Sequence, residues 1–221
     1  MIEVIYYERD VLDHPRAQTI IRRYPQASLI PCEHYKEIFN PSGQSFRLQK
    51  QKPALILARK TGNLVHSVPQ TYGIGGTSNF YFSHLLNCLY DCRYCFLQGM
   101  FPSAHYVLFV NFEDFIEEIS QKTTLAKENE SWFFSGYDCD SLALEGLTDF
   151  SRAFLPFFAK NQQAKLELRT KSVNIKVLLE TPPLKNVVTA FSFTPDEISQ
   201  NLEKGVPTVG ARIKAMKRIA S

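Results

Sequence analysis

Three of the five cysteines in this 221-residue chain fall within the twelve residues Asn87 to Gln98, at Cys88, Cys92 and Cys95. Separations of four and three residues let one loop fold three thiolates towards a common point, which is metal-site chemistry. Three thiolates suit a cubane iron–sulfur cluster and leave one iron without a protein ligand, open to a small molecule. Two other arrangements use the same residues. His84, four residues before Cys88, completes a Cys3His set for structural zinc. A disulfide plus a spare thiol needs an oxidising compartment, yet Met1 to Arg9 is a charged, strand-like run unlike a secretory signal.

Composition sets outer limits. A chain of this length with 44% hydrophobic residues buries a sizeable core in one or two domains. No apolar run approaches the ~20 residues of a membrane span, so a soluble, cytoplasmic protein is expected. The net charge of +3 permits contact with nucleic acid without requiring it.

In chain order, Ile2–Tyr7, Ala27–Pro31 and Ala54–Ala58 read as strands, with Asp13 and Pro15 opening a helix to about Tyr24. Cys32 reads as a small buried apolar residue. Arg47, Lys50, Lys52, Arg59 and Lys60 form the densest basic stretch of the first half, either a solvated edge or a phosphate-facing patch. Gly73–Gly76 reads as a turn, because no Lys-Ser/Thr pair follows it. Strands are then expected at Asn79–Phe82, His105–Val110, Ser131–Phe134, Leu166–Arg169 and Val187–Phe193. Helices are expected at Phe112–Thr124, Leu142–Phe158, Val173–Glu180, Pro195–Lys204 and Gly210–Ala220. Such alternation implies parallel βα units. In the first of these helices Phe112, Phe115, Ile116 and Ile119 share the face that should pack on the sheet.

The C-x3-C-x2-C spacing, with Tyr94 and Phe96 flanking the third cysteine, resembles the signature of radical S-adenosylmethionine (SAM) enzymes. Asn87 before the first cysteine and the run Tyr94-Cys95-Phe96-Leu97-Gln98 resemble spore photoproduct lyases and their relatives. The resemblance runs from about Val4 onward. It implies an α/β fold, a partial (βα)6-type open barrel over residues 71–221 behind a small α/β lead-in at 1–70, with the cluster loop after the first barrel strand. Against that family the chain looks short at its C-terminus, with the last βα unit missing. It further implies a 4Fe–4S cluster on Cys88, Cys92 and Cys95, SAM chelating the open iron, an electron donor such as a flavodoxin or ferredoxin, and a thymine-dimer lesion in DNA as substrate.

The same resemblance points to individual residues. Lys171, in Thr170-Lys171 after a strand, resembles the lysine that meets the SAM carboxylate, and Ser141 and Ser192 resemble SAM-contacting serines. Each is equally an exposed strand-end lysine or an ordinary cap hydroxyl. Cys139 occupies roughly the place of the cysteine that returns a hydrogen atom to the substrate radical, and it is equally a buried structural thiol. Tyr94 matches the first of two relay tyrosines, whereas the second position holds Phe96, which has no phenol to pass hydrogen. Two other readings remain: a radical SAM enzyme on another substrate, and a zinc- or cluster-bearing nucleic-acid module. A zinc ribbon would usually bring a second cysteine pair.

Overall fold

The computed structural model describes residues 2–69, 73, 78–126 and 130–221, so positions 74–76 of the expected glycine turn lie outside the described residues. The first half runs β1 (Val4–Glu8), α1 (Pro15–Arg23), β2 (Ser28–Cys32), α2 (Lys36–Phe39), α3 (Phe46–Gln51), β3 (Leu55–Ala58), β4 (Val65–Ser67), β5 (Ser78–Phe82), β6 (Leu85–Leu86), β7 (Asp91–Cys92), α4 (Leu97–Met100) and β8 (Tyr106–Phe109). There follow α5 (Phe112–Leu125), β9 (Ser131–Ser135), α6 (Glu145–Thr148), α7 (Phe150–Lys160), β10 (Ala164–Thr170), α8 (Lys176–Glu180), β11 (Val187–Phe191), α9 (Asp196–Leu202), β12 (Glu203–Lys204) and α10 (Val209–Ala220).

Among the described residues the strands form two five-stranded sheets, ordered β2-β1-β3-β8-β6 and β11-β10-β9-β5-β4, with a separate ribbon pairing β12 and β7. In the second sheet β5, β9, β10 and β11 are parallel and only the edge strand β4 is antiparallel. Both sheets draw strands from either side of residue 70, and one apolar core holds Ile5, Leu55, Phe82, Phe133 and Phe154 together. The strand expected at His105–Val110 is present but leaves the expected parallel series: it pairs with β3 in the first sheet, and β5 pairs directly with β9. Its four residues are all buried, as a central strand requires.

The helices follow the pattern with local departures. Phe112, Phe115 and Ile119 of α5 are fully buried and Ile116 packs partly on the same core. His14, not Asp13, caps α1, its Nδ1 accepting from the Arg16 amide at 3.2 Å. The single helix expected over Leu142–Phe158 is broken at Asp149, whose φ of 49° is left-handed, a conformation Asp tolerates better than most residues. The expected Pro195–Lys204 helix ends at Leu202, and Glu203–Lys204 become a strand instead.

The break at Asp149 has a measurable companion. Glu145, buried at the start of α6, accepts from the Ser151 amide, and burial lifts its carboxyl to about 7. A carboxyl raised on folding contributes stability that is whole below about 4.5 and is lost as pH climbs through about 7. Thermal melts across that window should show stability falling with pH by up to roughly 3 kcal/mol, and Glu145→Gln should flatten the slope.

Candidate metal centre

The cysteine loop follows β5 and the short strand β6. Asn87 takes a left-handed φ of 69° and donates from Nδ2 to the carbonyls of Ser103 and His105, each at 2.7 Å. The turn reverses the chain before Cys88. His84 is thereby left behind in the main core, stacked 3.9 Å from Phe150 at an interplanar angle of 6° and set edge-on to Phe112. Burial drives its pKa down to about 3, so it is a neutral aromatic filler. The zinc set proposed from its spacing is not assembled. Cys88, Cys92 and Cys95 instead form a small separate cluster with Tyr90, Ala143 and Val206.

The three thiols suit an iron–sulfur cluster in their chemistry. All three are free, the Tyr90 amide donates to the Cys88 sulfur at 3.4 Å, and Lys50 and Lys171 bring positive charge towards Cys88 and Cys92 respectively. Burial pushes the Cys88 thiol up to about 12, so its thiolate needs the compensating charge of a bound metal centre. Among the described residues no three His, Cys, Asp or Glu side chains converge on one ion's position, as a closed zinc site requires. A cubane asks for less convergence, because each thiolate binds its own iron.

The back of the loop is held from far along the chain. Glu203 of β12 pairs with Cys92 of β7, and the Arg93 amide donates to the Leu202 carbonyl at 2.9 Å. The Glu203 side chain, fully enclosed, accepts from the Tyr94 hydroxyl, from Ser199 Oγ at 2.7 Å and from Arg212 Nη2 at 2.6 Å. Burial alone would raise this carboxyl; the three donors and the Arg212 charge outweigh it and hold it at about 2. Arg212, itself fully buried, also donates to the Ser192 carbonyl at 2.7 Å. Lys50, expected on a solvated or phosphate-facing edge, instead donates to the carbonyls of Cys88 and Tyr90. Glu203, Arg212 and the role of Lys50 were invisible in the sequence, since nothing local marks a partner so distant.

The other expected residues stand at the C-terminal ends of the parallel strands, where α/β folds gather ligands. Lys171 follows β10; its ammonium lies 5.4 Å from the Tyr94 ring and 3.8 Å from Glu203. Asp140 fixes this corner, accepting from Thr170 Oγ1 and the Lys171 amide, both at 2.6 Å, and from the amides of Leu142 and Ala143. Cys139 is buried after β9, close enough to Cys88 and Asp140 for their charges to act on it, and burial holds it as a thiol well above its ordinary range. The Ser141 hydroxyl is engaged internally: it donates to the Ser135 carbonyl and lies 2.8 Å from Ser135 Oγ. Gly136 (φ 78°) is required beneath it, because a Cβ there would come within 2.5 Å of the Ser141 oxygen. Ser192 follows β11 and is half-buried, its amide donating to the Thr170 carbonyl at 2.9 Å. Tyr94 turns its hydroxyl to Glu203, while Phe96, 58% exposed, faces Tyr137 at 6.0 Å.

A mostly parallel sheet with a three-cysteine loop following its first parallel strand is the α/β arrangement of a radical SAM fold. The family model for spore photoproduct lyase matches residues 1–221, and the chain belongs to that family. The chain is 21% identical over 224 residues to the spore photoproduct lyase of Bacillus subtilis (strain 168) and 20% identical over 224 residues to that of Geobacillus sp. (strain Y412MC61), covering 99% of this chain in both cases. It spans about 64% of the length of either relative. Among solved structures, a spore photoproduct lyase complexed with dinucleoside spore photoproduct superposes with a TM-score of 0.85 at 16% identity, over 100% of this chain and 64% of that one. A mutant lyase with bound AdoMet and dinucleoside spore photoproduct gives 0.86, also at 16% identity and with the same coverage. At that identity the likeness is one of fold. Among the described residues no helix is long and apolar enough to cross a membrane.

Proposed function

We propose that this chain is the catalytic core of a radical SAM lyase that acts on a thymine-dimer lesion in DNA in the cytoplasm. The observation that carries the reading is the gathering of Cys88, Cys92 and Cys95, Lys171 and Cys139 around one strand-end site in a chain matched throughout by the lyase family. Cys88, Cys92 and Cys95 would hold a 4Fe–4S cluster, which with SAM supplies a 5′-deoxyadenosyl radical after one-electron reduction. Lys171 offers its ammonium to the SAM carboxylate, and Glu203 behind it keeps that ammonium aimed across the Tyr94 ring. Ser192, anchored after β11 through the Thr170 carbonyl, would contribute its hydroxyl to SAM. Ser141, its hydroxyl held by Ser135, serves the site by fixing the turn that carries Cys139 and Asp140. Cys139, kept as a neutral thiol, has a hydrogen atom to give to a substrate radical. Tyr94 orients the loop through Glu203 and presents its ring to the site. A different substrate is the second reading, favoured by Phe96, an exposed ring without a phenol where the family carries a tyrosine.

Two substitutions test the assignment. Lys171→Ala should weaken SAM binding by about tenfold or more, the loss of a charge-assisted bond of roughly 1.5–3 kcal/mol, with iron content unchanged. Titration of the reconstituted protein with SAM reads this directly, and unaltered affinity leaves Lys171 as a structural partner of Glu203 alone. Cys139→Ala should preserve reductive SAM cleavage while diverting a dinucleotide spore photoproduct into adducts or abortive products. A normal yield of repaired thymines in that variant would make Cys139 structural. SAM cleavage without repair by the parent chain favours the second reading.

A further inference from the structure

Strand geometry gives the cluster loop a second working face. Successive side chains of a strand point to opposite sides, and in the β7–β12 ribbon Cys92 stands opposite Glu203 while Asp91 stands opposite Lys204. Cys92 and Glu203 are buried on the side where Lys171 and the Tyr94 hydroxyl reach Glu203; Lys204 and Arg93 are exposed. On this outer side a cleft of about 840 Å³ opens directly against the loop. Phe46 and Leu89 give it an apolar surface, and Arg47, Arg93 and Lys204 surround it with positive charge against the single carboxylate of Asp91. Lys50, a further cation in the lining, is committed to the Cys88 and Tyr90 carbonyls.

We infer that this cleft is the docking surface for a small acidic electron-carrier protein, a claim that rests on the cluster reading proposed above. One electron must reach the cluster from outside, leaving the carrier oxidised and the cluster reduced by one, with no bond made or broken. Leu89 and Asp91 in the lining are the sequence neighbours of Cys88 and Cys92, so a carrier seated here lies against the loop that carries the thiols. The cleft's excess of positive charge complements an acidic surface around a carrier's prosthetic group and speeds encounter at low salt. A DNA strand in the cleft would lie on the opposite side of the ribbon from Lys171, which argues for a protein occupant.

The test uses the anaerobically reconstituted chain and its triple variant Arg47→Glu, Arg93→Glu, Lys204→Glu, three exposed positions outside the ligand set. Bleaching of cluster absorbance is followed after mixing with a reduced acidic flavodoxin and, separately, with dithionite. The variant should be reduced by flavodoxin at least about tenfold more slowly at low ionic strength, with the difference shrinking as salt is added, and at the parental rate by dithionite. Equal flavodoxin rates overturn the docking surface while leaving the cluster in place. Loss of oligonucleotide affinity with an unchanged flavodoxin rate overturns it in favour of a DNA face. Absence of any bleachable cluster in the parent overturns the reading beneath it as well.

Discussion

Replacing any one of Cys88, Cys92 or Cys95 by Ala is expected to leave the anaerobically purified protein colourless, with iron falling from about four per chain to near zero. The effect should be all-or-none because the three thiolates are the loop's whole donor set: His84 is sealed against Phe150, and Cys139, buried with its thiol raised, sits across from Cys88 outside the loop. Iron and sulfide counts with visible absorption measure this. A parent protein that binds one zinc per chain, and loses it in His84→Ala, would contradict both the ligand set and the placement of His84 in the core.

The second large effect lies more than a hundred residues away. Arg212→Met should destabilise the fold by about 3–5 kcal/mol, since it takes from the enclosed Glu203 carboxylate its hydrogen-bonded charge partner and leaves only Lys171, farther off at 3.8 Å. At roughly 2–4 °C per kcal/mol for a chain of this size, melting should fall by about 10 °C or more. Adding Glu203→Gln should recover part of the loss by removing the stranded charge. The pH dependence carries a matching sign. A carboxyl lowered on folding contributes stability that is present above its unfolded value near 4.5 and is lost as pH falls towards about 2. The parent should therefore lose stability steeply below pH ~4.5, and Glu203→Gln should blunt that loss. A single variant melting with the parent would show that Arg212 does not hold the loop.

What the sequence made legible was what is local. The cysteine spacing, the apolar face of α5 and the alternation around β9, β10 and β11 are short-range patterns, and each survives in the fold. Partner choice is not local. The strand pattern at Tyr106–Phe109 was readable, but its pairing with β3 depends on the first sheet, which the pattern does not encode. His84 stood at a ligand's spacing and was turned away by β6 and the left-handed Asn87. Lys50 read as an edge charge because its acceptors are backbone carbonyls, which leave no trace in side-chain composition. Ser141 resembles a SAM-contacting serine at a strand end, yet its hydroxyl is taken up by Ser135, a partner that only the turn through Gly136 brings close.

The ribbon between β7 and β12 also fixes an order of events in the cell. Tyr94 and Glu203 are 109 positions apart, so the loop that carries the cysteines is synthesised long before the strand and helix that brace it. Closing so distant a contact costs chain entropy that is recovered only when β12 and Arg212 arrive. On the ribosome the thiols therefore emerge unbraced, and the braced loop exists only once α10 has cleared the exit tunnel. The nascent loop is then the stage at which its three cysteines are most open to oxidation.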